Sequence, residues 1–253
     1  MWLMQYRDLI WNLTITDLKI KYQSSVLGFA WSLLNPLLMM LVLYFVFSNV
    51  FRFTQEHYAL YILVGLIAWR FLANGTSVAM LSIVGKPSLV TKIYIPRQIL
   101  VLSSTLSSFI SSILEFCVLI PLLFIFGANI TPYIFFFPIA HVIFFFIVYG
   151  LSLMLAALYV YYRDLTQIWE VIVQLGFFLS PIVYPISTIP PQYIPFYILN
   201  PVTVLIETYR NFLIYGLPPG IRSVIYLMIS AVILMAAGNA VFSRLERRFG
   251  ELI

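Results

Sequence analysis

Long apolar runs divide this chain, and the short stretches between them hold most of its charged residues. A bilayer core about 30 Å thick requires about 20 apolar residues in a helix that rises 1.5 Å per residue. Backbone polar groups in hydrocarbon must be satisfied inside the spanning segment, which favours helices. The sequence therefore predicts an all-α polytopic membrane protein, a single transmembrane domain with six transmembrane helices. These cover residues 33–51, 58–84, 99–126, 133–159, 168–184 and 223–242.

Composition agrees with this fold class. Hydrophobic residues make up 62% of the chain and charged residues 9%, against roughly 45–50% and about 25% in soluble domains. The net charge is +5, but the basic residues lie beside apolar runs, where Lys and Arg set membrane topology. We therefore expect membrane lipids, and no nucleic acid, among the partners.

The basic residues also predict the orientation of the chain. Six spans place both termini on one side of the membrane. The opposite side holds only Arg52, Arg210 and Arg222. Lys and Arg accumulate on the cytoplasmic side, so both termini are expected in the cytoplasm. The basic residues on that side are Arg7, Lys19, Lys21, Lys86, Lys92, Arg97, Arg163, Arg244, Arg247 and Arg248.

Residues 1–28 are typical of an amphipathic helix. Leu9, Leu13 and Ile20 recur at helical spacing, while Asp17 and Lys21 occupy other faces. Such a helix is expected to lie at the membrane interface. Two roles remain open: a simple membrane anchor, or a docking surface for a cytoplasmic partner.

The region between spans five and six is rich in proline, since residues 181–219 contain eight of the chain's 14 prolines. Proline removes a backbone donor and breaks helices, and the freed carbonyls are costly in lipid. We expect segment 185–220 to form short, re-entrant helices that gate an extracytoplasmic exit; a plain outer loop is the alternative. The gate candidates are Pro185, Pro190, Pro191 and Pro195.

No nucleotide-binding motor is expected on this chain. The nearest match to a phosphate-binding loop, at Gly85 to Ser88, fails because Pro87 lacks the N–H that would face phosphate. Zinc motifs and nucleophile elbows are also missing from the sequence. The chain is therefore predicted to be a transport subunit without a cofactor or metal of its own, and not an enzyme.

Two ionisable residues inside the spans point to function, because a charge at mid-bilayer costs about 2.5–3.5 kcal/mol or more. Arg70 lies 14 residues from Val84, and Glu115 lies 16 residues from Ile99. Their depths therefore agree within about 3 Å. We predict that they pair across adjacent helices or face a polar path; a pair that only fixes helix packing is the alternative.

Aromatic residues make up 17% of the chain, and most are expected in belts at the two interfaces. A path for sugars uses the same residues as flat platforms with polar tips. The candidates are Tyr149, Tyr159, Phe177, Phe178 and Tyr184.

Five motifs in order resemble the ABC-2 type permeases that export bacterial polysaccharides, and together they extend over nearly the whole chain. Arg70 departs from that family's pattern, which has an uncharged residue at this place. The motifs are Lys21 to Gly28 with Trp31, Asn35, Pro36 and Leu37; Lys92 to Arg97; Tyr162 to Leu165; Ser180 to Pro185; and Asn200-Pro201 with Tyr209-Arg210.

This resemblance implies a homodimer in the bacterial cytoplasmic membrane, joined to two copies of a separate ATPase subunit that holds ATP and magnesium. The family moves lipid-linked O-antigen, capsular or teichoic-acid chains. The cytoplasmic loop 86–97 is then expected to form a short coupling helix, which Pro87 suits at its first turn and Pro96 ends. The coupling candidates are Lys86, Lys92, Tyr94, Pro96, Arg97, Arg163 and Asp164.

Three other functions are alternatives to this one. A drug or free-lipid exporter on the same scaffold differs only in what lines the path. An ion-coupled secondary transporter ordinarily has two related halves, and the sequence contains no convincing repeat. An intramembrane glycolipid transferase needs a catalytic cluster near the interface, for which Arg163 and Asp164 alone are thin support.

Overall fold

A computed structural model of the chain describes residues 5–23, 27–28, 30–52, 55–92 and 95–252, and these residues form helices and turns with no strand. The all-α prediction is confirmed. The helices are α1 (Arg7–Tyr22), α2 (Ala30–Phe45), α3 (Tyr58–Leu81), α4 (Pro87–Lys92), α5 (Gln98–Ile125), α6 (Phe137–Tyr161), α7 (Leu165–Phe178), α8 (Ile194–Ile198), α9 (Pro201–Leu213), α10 (Ile221–Leu245) and α11 (Phe249–Leu252).

Among these residues, five helical segments are long and apolar enough to cross a membrane: Ala30–Val50, Tyr58–Leu81, Gln98–Ile125, Pro132–Tyr161 and Ile221–Arg248. A π-helical turn extends α2, and 3₁₀ turns extend α6 and α10. The fifth predicted span, 168–184, corresponds to the apolar helix α7, which has 14 residues and a length of about 21 Å. Six spans is therefore approximately right, with α7 too short to cross alone.

Helix α7 ends at Phe178, six residues before the predicted end of the span at Tyr184. Pro181 accounts for the difference, because its ring clashes with the carbonyl four residues earlier and disfavours helical backbone at Ser180. The proline-rich segment that follows contains a 3₁₀ turn (Ile186–Thr188) and the helices α8 and α9. The short helices predicted there are present.

Helix α3 lies at the centre of the fold and contacts α2, α5, α6, α7 and α9. Its sequence is apolar on nearly every face, the pattern of a helix surrounded by protein. Ile62, Val64 and Ala68 are fully buried. The spans at α2 and α10, by contrast, leave most of their surface exposed.

Helix α1 runs beside the inner half of α5. Thr14 donates to the carbonyl of Ser103, and Lys21 lies 3.5 Å from the hydroxyl of Ser111. Between these two contacts each helix advances by about two turns in the same direction. The two helices therefore run side by side and parallel. The helix predicted in segment 1–28 is present over Arg7–Tyr22, while residues 1–4 and 24–26 lie outside the described residues. Its placement at the membrane interface stays a prediction.

Helices α6 and α10 make the most extensive contact in the molecule, around Gly150 and Gly238. A Cβ atom on Gly150 would lie 2.6 Å from the carbonyl oxygen of Leu234, and one on Gly238 would collide with the Gly150 carbonyl. Small residues at such crossings let two membrane helices approach closely. The absence of side chains at these two positions therefore sets the distance between α6 and α10.

Gly238→Ala is expected to lower the free energy of unfolding by about 1–3 kcal/mol, because α10 must move away from α6. Thermal unfolding of the detergent-solubilised protein measures the loss. Gly250→Ala is the control, since the nearest atom to its new Cβ is Arg97 Nη2 at 3.8 Å. Equal stability of Gly238→Ala and the parent protein would contradict the role given to this crossing.

Candidate functional site

Arg70 and Glu115 meet about halfway along the spanning helices. Arg70 lies near the midpoint of α3, and its Nε is 3.5 Å from Glu115 Oε2 on α5. Its Nη1 donates a 2.6 Å hydrogen bond to the side-chain oxygen of Asn35 on α2. The two residues singled out in the sequence are thus brought together, and Asn35 adds a third helix that the sequence analysis missed.

The pair lies at the edge of the protomer. Glu115 is 4% exposed and the Arg70 side chain 24% exposed. Asn35 is also exposed, so the guanidinium borders the outer surface of α2 and α3. A charged group at this depth is costly against lipid. This side of the protomer therefore favours a polar path or a protein partner over bare hydrocarbon.

Polar groups continue from this pair toward the N-terminal end of α5. Asp17 accepts from Lys86 Nζ at 2.7 Å and from the hydroxyl of Ser104 at 2.9 Å. Nearer to the pair, Tyr22 lies within hydrogen-bond distance of Ser111. The sequence analysis interpreted Lys86 only as a topology and coupling residue. The signal that it missed is a row of serines at helical spacing on α5: Ser103, Ser104, Ser107, Ser108, Ser111 and Ser112.

Arg210 forms the centre of a second cluster, the outer clamp, made of Arg210, Glu207, Tyr61, Pro181 and Ile182. Its side chain is fully buried. It donates to the carbonyls of Pro181 at 2.7 Å, Ile182 at 2.8 Å and Tyr61 at 3.1 Å, and to Glu207 Oε1 at 2.6 Å. The guanidinium carbon also lies 3.3 Å from the centroid of the Tyr61 ring.

Arg210 was predicted only as a topology charge on the side of the membrane opposite the termini, and its burial inside the protein was not predicted. The turn after α7 presents carbonyls that no helix satisfies, and Arg210 supplies the donors. Gly65 leaves room for it, since a Cβ there would lie 2.9 Å from Arg210 Nη2. The acid three residues before Arg210 was the available signal, because residues i and i+3 share a helix face.

The aromatic candidates divide into two groups. Phe177, Phe178 and Tyr184 lie together near the outer clamp, where the Tyr184 hydroxyl donates to the Phe178 carbonyl at 2.7 Å. Phe177 packs edge-on against Trp69 on α3. Tyr149 is buried in the core against Phe145, and Tyr159 lies at the inner end of α6 beneath Arg163. The structure therefore brings together three of the five.

The gate candidates occupy the outer segment. Pro185 precedes the 3₁₀ turn, Pro195 lies in the first turn of α8, and Pro190 and Pro191 are exposed between them. Nearby, the Tyr215 hydroxyl accepts a 2.8 Å hydrogen bond from Gln55, and burial raises the pKa of Tyr215. These contacts connect the outer ends of several helices.

The described coupling candidates lie at the end of the bundle where α4 contacts α11. Helix α4 begins at Pro87, as the coupling-helix prediction required. Arg97 donates to the Glu246 carbonyl at 2.8 Å and lies over the Phe249 ring. Pro96 precedes α5, Arg163 and Asp164 are exposed at the α6–α7 turn, and Lys86 pairs with Asp17. Tyr94 and the side chain of Lys92 lie outside the described residues.

Comparison with known proteins agrees with this arrangement. The family model of the ABC-2 type transporter matches residues 8–214. The chain belongs to the ABC-2 type transporter family. It is therefore a multi-pass membrane subunit of a transporter, and the resemblance stated from its motifs is confirmed.

Three curated relatives of this ABC-2 chain are called O-antigen export system permease protein RfbA. Two from Klebsiella pneumoniae are each 29% identical to it, over 97% of this chain and 95% of their own length. A third, from Myxococcus xanthus, is 30% identical over 99% of this chain and 97% of its own length. The likeness thus extends over nearly the whole chain.

Arg210→Ala in this ABC-2 subunit is expected to lower the free energy of unfolding by about 3–5 kcal/mol, because it removes the donor from the Pro181 and Ile182 carbonyls and the cation from the partly buried Glu207. Thermal unfolding reports the loss, and limited proteolysis reports release of the outer segment. Arg222→Ala removes an exposed charge nearby and is expected to change stability by less than about 0.5 kcal/mol. Equal stability and equal proteolysis of the two variants would contradict the role of Arg210 in holding the outer segment.

Proposed function

We propose that this chain is the permease subunit of an ATP-driven exporter that moves a lipid-linked polysaccharide out of the bacterial cytoplasm. O-antigen, capsular and teichoic-acid chains are the substrate types. The nearly full-length likeness to relatives named O-antigen export permeases carries the proposal. The polar groups along α5 support it, because a sugar polymer needs hydrogen-bonding groups through an apolar bundle.

Two copies of this chain would assemble with two copies of a separate ATPase subunit, which binds ATP and magnesium. The exposed helices α2 and α7 support a second copy. Helix α7 presents Glu170 on its exposed face, and a carboxylate is costly against lipid. A facing protomer or a water-filled path between protomers would remove that cost. Both termini lie in the cytoplasm in this arrangement.

The conformational change that ATP drives in the partner subunit reaches this chain through α4 and its neighbours. The Asp17–Lys86 ion pair joins the start of α4 to α1, and Arg97 joins the end of this segment to the C-terminal turn at Glu246. A push on α4 is therefore shared by α1, α5 and α10. Lys92, Tyr94 and Pro96 complete the contact surface, with Arg163 and Asp164 beside it.

The proline-rich segment forms the gate over the exit. Arg210 holds its base against α3, and the prolines at 185, 190, 191 and 195 keep its helices short. Phe177, Phe178 and Tyr184 lie where an emerging sugar would meet flat aromatic surfaces. The gate opens for a polymer when α3 and the clamp move together.

Reconstitution tests the proposed function. The chain is co-expressed with a candidate ATPase subunit, and the purified complex is placed in vesicles with lipid-linked polysaccharide on the ATPase side. We expect this chain to stimulate ATP hydrolysis, and the polysaccharide to become accessible in the lumen only with ATP. Movement of a drug or free lipid without movement of polysaccharide would disprove the assignment of cargo. Nucleotide hydrolysis by this chain alone would disprove the division of labour.

Substitutions at the central pair decide between a path and simple packing. Glu115→Gln should slow export about tenfold, the size expected when a step loses about 1.4 kcal/mol of stabilisation. The double variant Arg70→Met with Glu115→Met should fold well, since apolar residues often replace buried ion pairs without loss of stability.

If the charges serve a path, the double variant still exports slowly. Recovery of normal export would instead show that the pair only fixes helix packing. Glu56→Gln, at an exposed acid outside the spans, is the control and should export normally. Unfolding temperatures of all four proteins separate slow export from poor folding.

A further inference from the structure

A polar cavity of about 330 Å³ opens among α1, α3 and α5, on the cytoplasmic side of the Arg70–Glu115 pair. Its polar lining includes Asp17, Lys21, Asn74, Lys86, Ser107 and Ser108. The volume exceeds by roughly tenfold the 30 Å³ that one water occupies in the liquid. The cavity is therefore large enough for a small charged group with its hydration.

The cavity has one uncompensated positive charge. Lys86 is neutralised by Asp17 at 2.7 Å. Lys21 is in no ion pair among the described residues: its Nζ lies 3.5 Å from the Ser111 hydroxyl and 5.4 Å from the centroid of the Tyr22 ring. The Glu115 carboxylate attracts it but is already paired with Arg70. A cation held beside hydroxyl groups in the inner half of a membrane protein favours an anionic ligand.

Neutral donors surround this charge. In the part of the chain that the structure describes, the hydroxyls of Ser107 and Ser108 and the amide of Asn74 have no protein hydrogen-bond partner. Several separate donors around one ammonium suit a phosphate group, which offers three or more acceptor oxygens. A planar carboxylate is better matched by the fork of an arginine than by a lysine.

The outward wall of the cavity is apolar. Ile20, Val78 and Leu81 line it, and their side chains are 62%, 44% and 41% exposed. In a membrane protein this surface faces lipid chains. A ligand that satisfies both walls has an anionic head and a hydrocarbon tail.

We propose that this cavity binds the phosphate or diphosphate headgroup of an amphiphile from the inner leaflet. Lys21 is its charged ligand, Ser107, Ser108 and Asn74 donate hydrogen bonds, and the tail lies along Ile20, Val78 and Leu81. Binding of the headgroup stands independently, whereas identification of the amphiphile as the transported lipid rests on the proposed function. Ser108 lies seven residues before Glu115 on α5, so the bound headgroup lies about 10 Å from the level of the central pair.

Binding of three probes to the full-length chain in detergent tests the proposal: farnesyl diphosphate, phosphatidylglycerol and inorganic pyrophosphate. We expect at least one amphiphile to bind more tightly than pyrophosphate. Lys21→Gln should weaken that binding about tenfold, the loss of one charge-assisted contact, and Lys21→Arg should retain most of it. Preference for the diphosphate or for the phospholipid identifies the source of the headgroup.

Lys19→Gln is the matched control, because Lys19 is an exposed lysine on the same helix outside the cavity. It should bind the amphiphile as the parent protein does. Ser107→Ala with Ser108→Ala tests the donors without a change of charge and should also weaken binding. Unfolding temperatures exclude a general loss of structure.

The proposal is overturned if Lys21→Gln binds as well as Lys19→Gln, or if pyrophosphate binds as tightly as either amphiphile. Binding is measured without ATP, so it is independent of transport. A complex that exports no polysaccharide yet binds these lipids through Lys21 disproves only the proposed function. Export of polysaccharide with Lys21-independent binding disproves only the assignment of the cavity.

Discussion

A backbone carbonyl that a proline frees near hydrocarbon must find a donor, and in this molecule Arg210 provides several donors at once. Its guanidinium donates to the carbonyls of Pro181 and Ile182 and to a carbonyl of α3, while it pairs with Glu207. Without it, the turn after α7 could not lie against the bundle. The short outer helices therefore depend on one side chain that joins three segments.

The two arginines inside the bundle differ in how completely they are satisfied. Arg210 is fully buried, and each of its nitrogens donates to an acceptor in the structure. Arg70 is partly exposed, and its Nε has no hydrogen-bond partner among the described residues. A fully satisfied arginine fixes geometry, whereas an incompletely satisfied one can exchange partners at low cost. This contrast favours a structural role for Arg210 and, for Arg70, a role in which its contacts change.

The spanning helices were predictable because length and apolar content are read directly from the chain. The shared depth of Arg70 and Glu115 followed from the rise per residue, which holds in any straight helix. The contact of Asn35 with Arg70 was not predictable. It depends on how α2 packs against α3, and the sequence pattern of one helix does not contain that information. The burial of Arg210 was missed for a similar reason. The positive-inside rule counts the Lys and Arg residues between spans and does not distinguish exposed side chains from buried ones.

Helix α3 connects the outer clamp to the central pair. Gly65, beneath Arg210, and Arg70 are five residues apart on one helix, a separation of about 7.5 Å along its axis. A helix is stiff over that distance, so a displacement that strains the Arg70–Glu115 contact also moves the Tyr61 carbonyl held by Arg210. The clamp in turn carries the outer segment with it. In the proposed mechanism, coupling between the ATPase side and the gate thus requires no separate relay, because α3 joins the central pair to the clamp.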